Sequence, residues 1–358
     1  MKILIVLKNK KKEADVEVKY GTLLDHAHSW VNGGNEVYVF GIKTPDKWGN
    51  MGLHFIKAPG RIPSNIRAYF WFLTESHPKV DVVIESLDFF NFNFKKTATV
   101  LYLPDHMGET SINRITKAVK NKMIKLVASK YLKNFNFTTS DFRLFELLKR
   151  SNVDPEKLFL LKKGLNTEEL NQKTVVHYDR SLLIDLVKRS EIVYEMVFKV
   201  IEAIDRKSEE WIFTILTQSS LLKKIRKELE KLGLQSKVNV WVGGSRKTFA
   251  RELARSDILF DPSLNQYTFN DDLFAMSRGI IVVTFKNKIV KEYDGFGRSV
   301  WMIGKKDPQS IAGRIMKLAN DIELRKLLIK RSLQFSSKNS WEELSLESIR
   351  FLGNIKPR

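Results

Sequence analysis

The chain has 358 residues, of which 43% are hydrophobic and 28% charged, with no cysteine and a formal net charge of +20. This composition predicts a globular protein of two domains and excludes disulfides and thiolate metal sites. It also excludes a membrane-spanning helix, because no run of about 18 apolar residues occurs.

From the amino terminus, MKILIVLKNKKK has too short an apolar stretch for a secretion signal, and no small-residue cleavage site follows. The absence of cysteine fits a reducing, cytoplasmic setting. KILIVL leads into the helical run VKYGTLLDHAHSWVNGG, then EVYVF. DVVIES, TVLYLP and FNFTTS follow as strands, then the helix FRLFELLKRSN and the strand LFLLKKG. Beyond residue 172 the alternation restarts: SLLIDLV, a helix over 191–207, WIFTIL, a helix over 220–232, VNVWVGG, a helix over 247–255 and ILFDPS. A helix over 271–278, GIIVVTF, SVWMIG and a helical carboxyl-terminal region complete the chain.

Short apolar runs separated by helices predict parallel sheets covered on both faces. Two such series predict an α/β protein of two doubly wound, Rossmann-like domains facing a cleft. The expected limits are 1–170 and 171–338, with 339–358 returning to the first domain. The boundary falls in the polar stretch NTEELNQKTVVHYDR.

The excess positive charge is spread over both halves. A basic body attracts nucleic acid, anionic lipid or phosphorylated small molecules, and it equally describes a lysine-rich solvated surface. Six histidines (His26, His28, His54, His77, His106 and His177) show no metal-ligand spacing, so no metal is expected.

Four stretches, in order, resemble the retaining glycosyltransferases of GT-B fold, the family of sucrose, glycogen and lipopolysaccharide sugar transferases. LLDHAHSWVNGGNEVYVF is similar to that family's first helix and second strand. TTSDFRLFELLKRSNVDPEKLFLLKKGLNTEEL resembles the segment closing its amino-terminal domain, with the bend at Lys163-Gly164-Leu165-Asn166. KVNVWVGGSRKTFARELARSDILFDPS resembles its strand, glycine loop, helix and "aD-lv-PS" strand. DPQSIAGRIMKLANDIELRKLLIKRSLQFSSKNSWEEL resembles its last helices, ending in the turn at Ser340-Trp341.

The resemblance implies an acceptor-binding first domain and a second domain holding a nucleotide sugar. It further implies a UDP- or GDP-linked co-substrate and no resident cofactor or metal. The implied reaction is metal-independent hexosyl transfer with retention of anomeric configuration. The leaving diphosphate itself takes the acceptor's proton, which calls for positive potential more than for a strong protein base.

In the family the segment after the PS strand runs PS-x-x-E-G-F-G-x-x-x-x-E-A-M-A-x-G. The first glutamate faces the donor sugar, the second holds ribose hydroxyls, and the loop amides take the diphosphate. Here those glutamates fall on Gln266 and Phe274, and the glycines on Tyr267 and Phe269. Gln266 retains a donor and an acceptor for sugar hydroxyls, whereas Phe274 has none. Asn270 and Asp271 share the Phe274 helix face one turn earlier and are candidates for the ribose. Thr268 offers a hydroxyl to phosphate. Asp271 and Asp272 also suit the plain role of stabilising the helix dipole, with no ligand.

The family's arginine at the first strand end falls on or next to Arg189, with Lys188 beside it. Its lysine five residues later becomes Tyr194 in one frame and Glu195 in the other, so that cation is missing. Glu17 and Val18 stand where relatives carry a glycine pair, near Lys8, Lys10, Lys11 and Lys12. In the loop Gly243-Gly244-Ser245, bare glycines would let a nucleobase approach the backbone, and they equally read as a tight turn before a helix capped by Ser245.

On the acceptor side, His106 follows a buried strand where relatives place a histidine by the donor sugar. It is the catalytic candidate, alongside the plain reading of a surface loop residue. NRITKAVKNKMIKLVASKYLKN carries Arg114, Lys117 and Lys125 among seven cations and no acid. A basic amphipathic helix suits docking to the anionic cytoplasmic face of a membrane, or packing on the sheet with solvated lysines. Nucleic acid is the less favoured partner, because no recognisable nucleic-acid motif accompanies the charge. A binding protein that kept the fold and lost the chemistry is the non-enzymatic alternative.

Overall fold

The computed structural model describes residues 1–7, 13–41, 46–56, 80–86, 98–103, 135–150, 153–165, 180–187, 191–208, 210–243, 245–262, 269–285, 295–304 and 307–355. They form two compact units. The first comprises Met1–Lys163 with Trp341–Arg358, and the second Gly164–Ser340. The divisions fall a few residues from the expected 170/171 and 338/339, ahead of the polar stretch rather than within it.

The first unit is a seven-stranded, wholly parallel sheet in the order β3-β2-β1-β4-β5-β6-β7. Its strands are β1 (Lys2–Val6), β2 (Glu36–Phe40), β3 (His54–Ile56), β4 (Val82–Ser86), β5 (Ala98–Leu103), β6 (Asn136–Thr139) and β7 (Leu158–Leu160). The central strands are buried along their whole length, as continuous apolar runs in a two-sided parallel sheet must be. The strand β3 has only three residues and no alternation, and sequence reading did not find it.

Two helices meet on one face of this sheet: α1 (Glu13–Asn32) and the carboxyl-terminal helix, Trp341–Gly353. Trp30 Nε1 donates to Ser348 Oγ at 2.8 Å, Ser29 Oγ donates to the Trp341 carbonyl at 3.0 Å, and Phe159 stacks on Phe351 at 4.9 Å. At their centre His26 is fully buried and donates from Nε2 to the Lys162 carbonyl at 2.8 Å. Because a carbonyl only accepts, this ring is the neutral Nε2–H tautomer. Burial pushes its pKa down to about 4, against a smaller opposing effect of that hydrogen bond. Between β6 and β7 lies α2 (Phe142–Arg150).

The second unit is a six-stranded parallel sheet in the order β10-β9-β8-β11-β12-β13. Its strands are β8 (Ser181–Asp185), β9 (Ile212–Thr217), β10 (Val238–Val242), β11 (Ile258–Asp261), β12 (Ile281–Phe285) and β13 (Trp301–Ile303). Renumbered within the unit, this is the order 3-2-1-4-5-6 of dinucleotide-binding sheets, and the first six strands of unit one follow it too.

The helices of the second unit are α3 (Glu191–Asp205), α4 (Leu222–Lys231), α5 (Arg246–Leu253), α6 (Phe269–Ser277), the single turn α7 (Phe296–Ser299), α8 (Pro308–Asn320) and α9 (Ile322–Ser337). The carboxyl-terminal helix of unit one is then α10. The helix α8 starts at Asp307, whose carboxylate accepts from Ser310 N at 2.8 Å, with Pro308 in its first turn. α6 ends at Gly279, where φ is 73° and the Gly279 and Ile280 amides close onto the Met276 and Ala275 carbonyls. A side chain at that left-handed position would be strained, so the glycine sets where the helix stops.

Below the sheet, Arg325 of α9 pairs with Asp257 at 3.4 Å, both side chains 2% exposed, and Asp257 Oδ2 accepts from Ser181 Oγ at 3.0 Å. The start and end of the unit are joined as well, since Leu165 N donates to the Asn339 carbonyl at 3.1 Å and Leu165 bridges to Ser340. Among the described residues no helix is long and apolar enough to cross a membrane.

Candidate functional site

In a sheet of this order, the strands on either side of the first one leave in opposite directions, opening a crevice at the carboxyl end between β8 and β11. A pocket of ≈ 160 Å³ sits at this end of the second sheet, lined by Asp185, Val187, Leu216, Ser245, Arg246, Phe249 and Asp271. Asp185 ends β8, Leu216 lies at the end of β9, and the other polar groups come from the first turns of α5 and α6. Two helix N-termini therefore converge on one hollow, the arrangement that favours an anion.

Each polar group is held in place. Asp185, nearly buried, accepts from Val187 N at 2.9 Å and so turns the chain at the strand end. Ser245 caps α5, its Oγ accepting from Thr248 N at 3.1 Å. Arg246 follows as the first helical residue. Its Nη1 donates to Asp271 Oδ1 at 3.2 Å, and its guanidinium lies 3.8 Å from the centroid of the Phe274 ring. The Arg278 guanidinium also approaches that ring, at 4.7 Å.

Phe274 is buried in the core beneath this pair, tilted against Phe249 with centroids 6.1 Å apart. It does not line the pocket; Arg246, stacked on it, does. The Phe274 ring thus serves as a platform for a cation.

The predicted residues distribute unevenly. Asp271 and Ser245 line the pocket. Asn270 lies on α6 beside Asp271. Gly243 lies two residues before Ser245, and its open side is already occupied. A Cβ there would stand 2.5 Å from Val187 Cγ2 and 3.1 Å from Leu216 Cβ, so packing alone accounts for this glycine. Lys188, Arg189, Gly244, Gln266, Tyr267, Thr268, His106, Arg114, Lys117 and Lys125 lie outside the described residues. Lys188 and Arg189 directly follow Val187 of the pocket wall in sequence.

Tyr194 is buried and its hydroxyl donates to the Leu186 carbonyl at 3.3 Å, while Glu195 pairs with Lys199 on the surface of α3.

Arg246, Asp185 and Phe249 were not found by sequence reading. One signal for Arg246 was present. A helix N-terminus repels cations, yet α5 opens with Arg246 and Lys247 and has no acid in its first turn. Such breaches of a local rule concentrate at functional sites.

A larger hollow, ≈ 470 Å³, runs along the edge strand β10 against α4 and includes Arg226, Glu230, Asn239 and Trp241. It lies at the side of the sheet, away from the strand ends and helix N-termini, and it lacks their fixed dipoles.

Paired 3-2-1-4-5-6 parallel sheets define the protein as a member of the GT-B fold class, and solved structures bear this out. A glycosyltransferase from Rickettsia africae superposes with a TM-score of 0.68 at 13% identity, over 99% of this chain and 98% of that one. HepE from Anabaena, solved in complex with UDP-glucose, gives 0.62 at 12% identity over 99% of both chains. WaaG, a glycosyltransferase involved in lipopolysaccharide biosynthesis, gives 0.53 at 15% identity, over 98% of this chain and all of that one. Residues 193–335, within the second unit, match the family described as glycosyl transferases group 1. The matched segment contains Leu216, Ser245, Arg246, Phe249 and Asp271 of the pocket. No curated protein sequence matches the chain.

Proposed function

We propose that the protein transfers a hexose from a UDP- or GDP-linked donor to a lipid-linked, glycan or protein acceptor, with retention of configuration and without a metal. The observation that carries this reading is the pocket at the switch point of the second sheet, where the N-termini of α5 and α6 meet beside Arg246. Its volume suits one ring of a nucleotide sugar. Asp271 is positioned to accept from sugar or ribose hydroxyls, having taken over from the family glutamate replaced by Phe274. The bond between the anomeric carbon and the diphosphate oxygen breaks, a bond to the acceptor oxygen forms on the same face, and the departing diphosphate takes the acceptor's proton. Lys188, Arg189 and the two helix dipoles stabilise the negative charge that collects on the leaving group. That HepE is solved with UDP-glucose supports the donor class. The basic stretch with Arg114, Lys117 and Lys125 is proposed to bring the protein to an anionic membrane surface, and His106 to face the transferred sugar.

A thermal-shift series with UDP-, GDP- and ADP-sugars tests the donor reading, followed by release of the free nucleoside diphosphate as the readout of turnover. Stabilisation by a UDP- or GDP-sugar together with turnover is expected. Phe274 and Tyr194, apolar or neutral where relatives carry a glutamate and a lysine, favour a second reading, a binding protein without transfer. Stabilisation without turnover under any acceptor would select it.

A further inference from the structure

We propose that Arg246 is the positioning residue for the donor's diphosphate, supplying from α5 the cation that the family lysine supplies elsewhere. This inference rests on the donor-site reading above and names how that site manages without its usual charge.

Three observations point the same way. The first is the vacancy in charge: Tyr194 is buried and neutral, and Glu195 is acidic and committed to Lys199. A diphosphate bound here needs a compensating cation. The second is placement. Arg246 opens α5 at the pocket wall, ion-paired with Asp271 at a helix start whose dipole disfavours a cation and favours an anion. The third is that the guanidinium is held on two sides, with its central carbon 3.8 Å from the Phe274 centroid and one donor committed to Asp271 at 3.2 Å.

These constraints explain the substitution at 274. A glutamate in that position would add a second carboxylate beside the one Asp271 already pairs with Arg246. Phenylalanine holds the guanidinium by its π-face and adds no further negative charge. A guanidinium carries five donors, so Asp271 and a phosphate oxygen can be served by the same group. The arginine is then preorganised, which lowers the entropy lost when the ligand arrives. Asp271, held by the same side chain, remains fixed for the hydroxyls. The loss of the glutamate and the loss of the lysine become one exchange, in which an aromatic platform and an arginine replace a carboxylate and an amine.

The test is calorimetric titration of the full chain and of Arg246→Ala and Arg246→Lys with UDP, UMP and uridine, repeated with the guanosine series. Arg246→Ala is expected to weaken the diphosphate by roughly 10- to 100-fold, to weaken the monophosphate less and to leave the nucleoside unchanged. Arg246→Lys, which keeps charge but not the planar stack, is expected to recover part of the loss. Equal weakening of all three ligands would mean that the side chain only supports the pocket, and would overturn the inference. Unchanged diphosphate affinity in a folded Arg246→Ala would overturn it too, leaving the donor reading intact. A wild-type chain that binds no member of either series would overturn both.

Discussion

The two sheets follow one winding order, yet their carboxyl ends are built from different chemistry. At the end of the first sheet β4 finishes in Glu85 and Ser86, both essentially buried, and Tyr102 shares a hydrogen bond with Ser140 at 3.0 Å. Ser86 Oγ has no hydrogen-bond partner among the described residues. These groups are neutral hydroxyls and one acid. At the end of the second sheet, Asp185, Arg246 and Asp271 surround an open hollow, with Arg246 laid over an aromatic ring. The topology provides a crevice in both units, and the residues at the strand ends decide which polar groups it presents.

The same contrast holds for what ties each unit together, and it is where the comparison breaks most easily. In the second unit the deepest tie is ionic, Arg325 with Asp257. Replacing Arg325 with alanine leaves a carboxylate buried without its ion partner, and we expect a loss of about 3–5 kcal/mol confined to that unit. Hydrogen exchange resolved by peptide should show β8, β11 and α9 losing protection while β1 and β4 keep theirs. Simultaneous loss in both units would mean that they do not unfold separately.

In the first unit the corresponding tie is a neutral histidine. His26 has a folded-state pKa of about 4, below its ordinary 6.5. As pH falls from 6.5 towards 4, the unfolded chain takes up a proton that the folded chain refuses. Stability is therefore full above pH 6.5, declines through that interval and levels off below it, by about 3 kcal/mol at most. Denaturation followed at several pH values should show this decline in the first unit. His26→Gln, which still donates to Lys162 but cannot titrate, should abolish the part due to His26.

The contrast also sorts what was legible in the sequence. Apolar runs such as SLLIDLV and GIIVVTF announced buried parallel strands, because both faces are covered and no alternation is needed. Helix ends at Ser245 and Gly279 were visible in the turn chemistry. Arg246 was hidden, since its meaning depends on Asp271 and Phe274, more than twenty positions away and brought alongside only when α5 and α6 pack over one strand end. The burial of Tyr194 was hidden for a similar reason: a tyrosine one turn into a helix is compatible with either face. Gly243 suits ligand access and a tight turn alike, and the structure adds that Val187 packs against its bare backbone.

That last residue gives a smaller and sharper test. Gly243→Ala places a methyl 2.5 Å from Val187 Cγ2, and overpacking of this kind costs about 1–3 kcal/mol. Val187→Ala in the same chain should restore most of the loss. If the single variant were as stable as the wild type, the strand end would be loosely packed, and the contact with Val187 would not account for the glycine.

The finest comparison is between two helix starts. Asp307 accepts from Ser310 N at 2.8 Å in the second unit, whereas Asp141 accepts from Leu144 N at 3.4 Å in the first. A side-chain cap satisfies an amide that the helix leaves without an internal partner, and its loss costs about 1 kcal/mol when the geometry is good. Hydrogen-bond strength falls with distance, so the longer contact at Asp141 is worth a fraction of the shorter one. Asp307→Ala is therefore expected to cost about 1 kcal/mol and Asp141→Ala only a few tenths, measured by urea denaturation of each variant. Since α8 lies far from the pocket in sequence and lines no part of it, nucleotide binding should be unchanged in Asp307→Ala, which separates the stability of the second unit from the chemistry at its carboxyl edge.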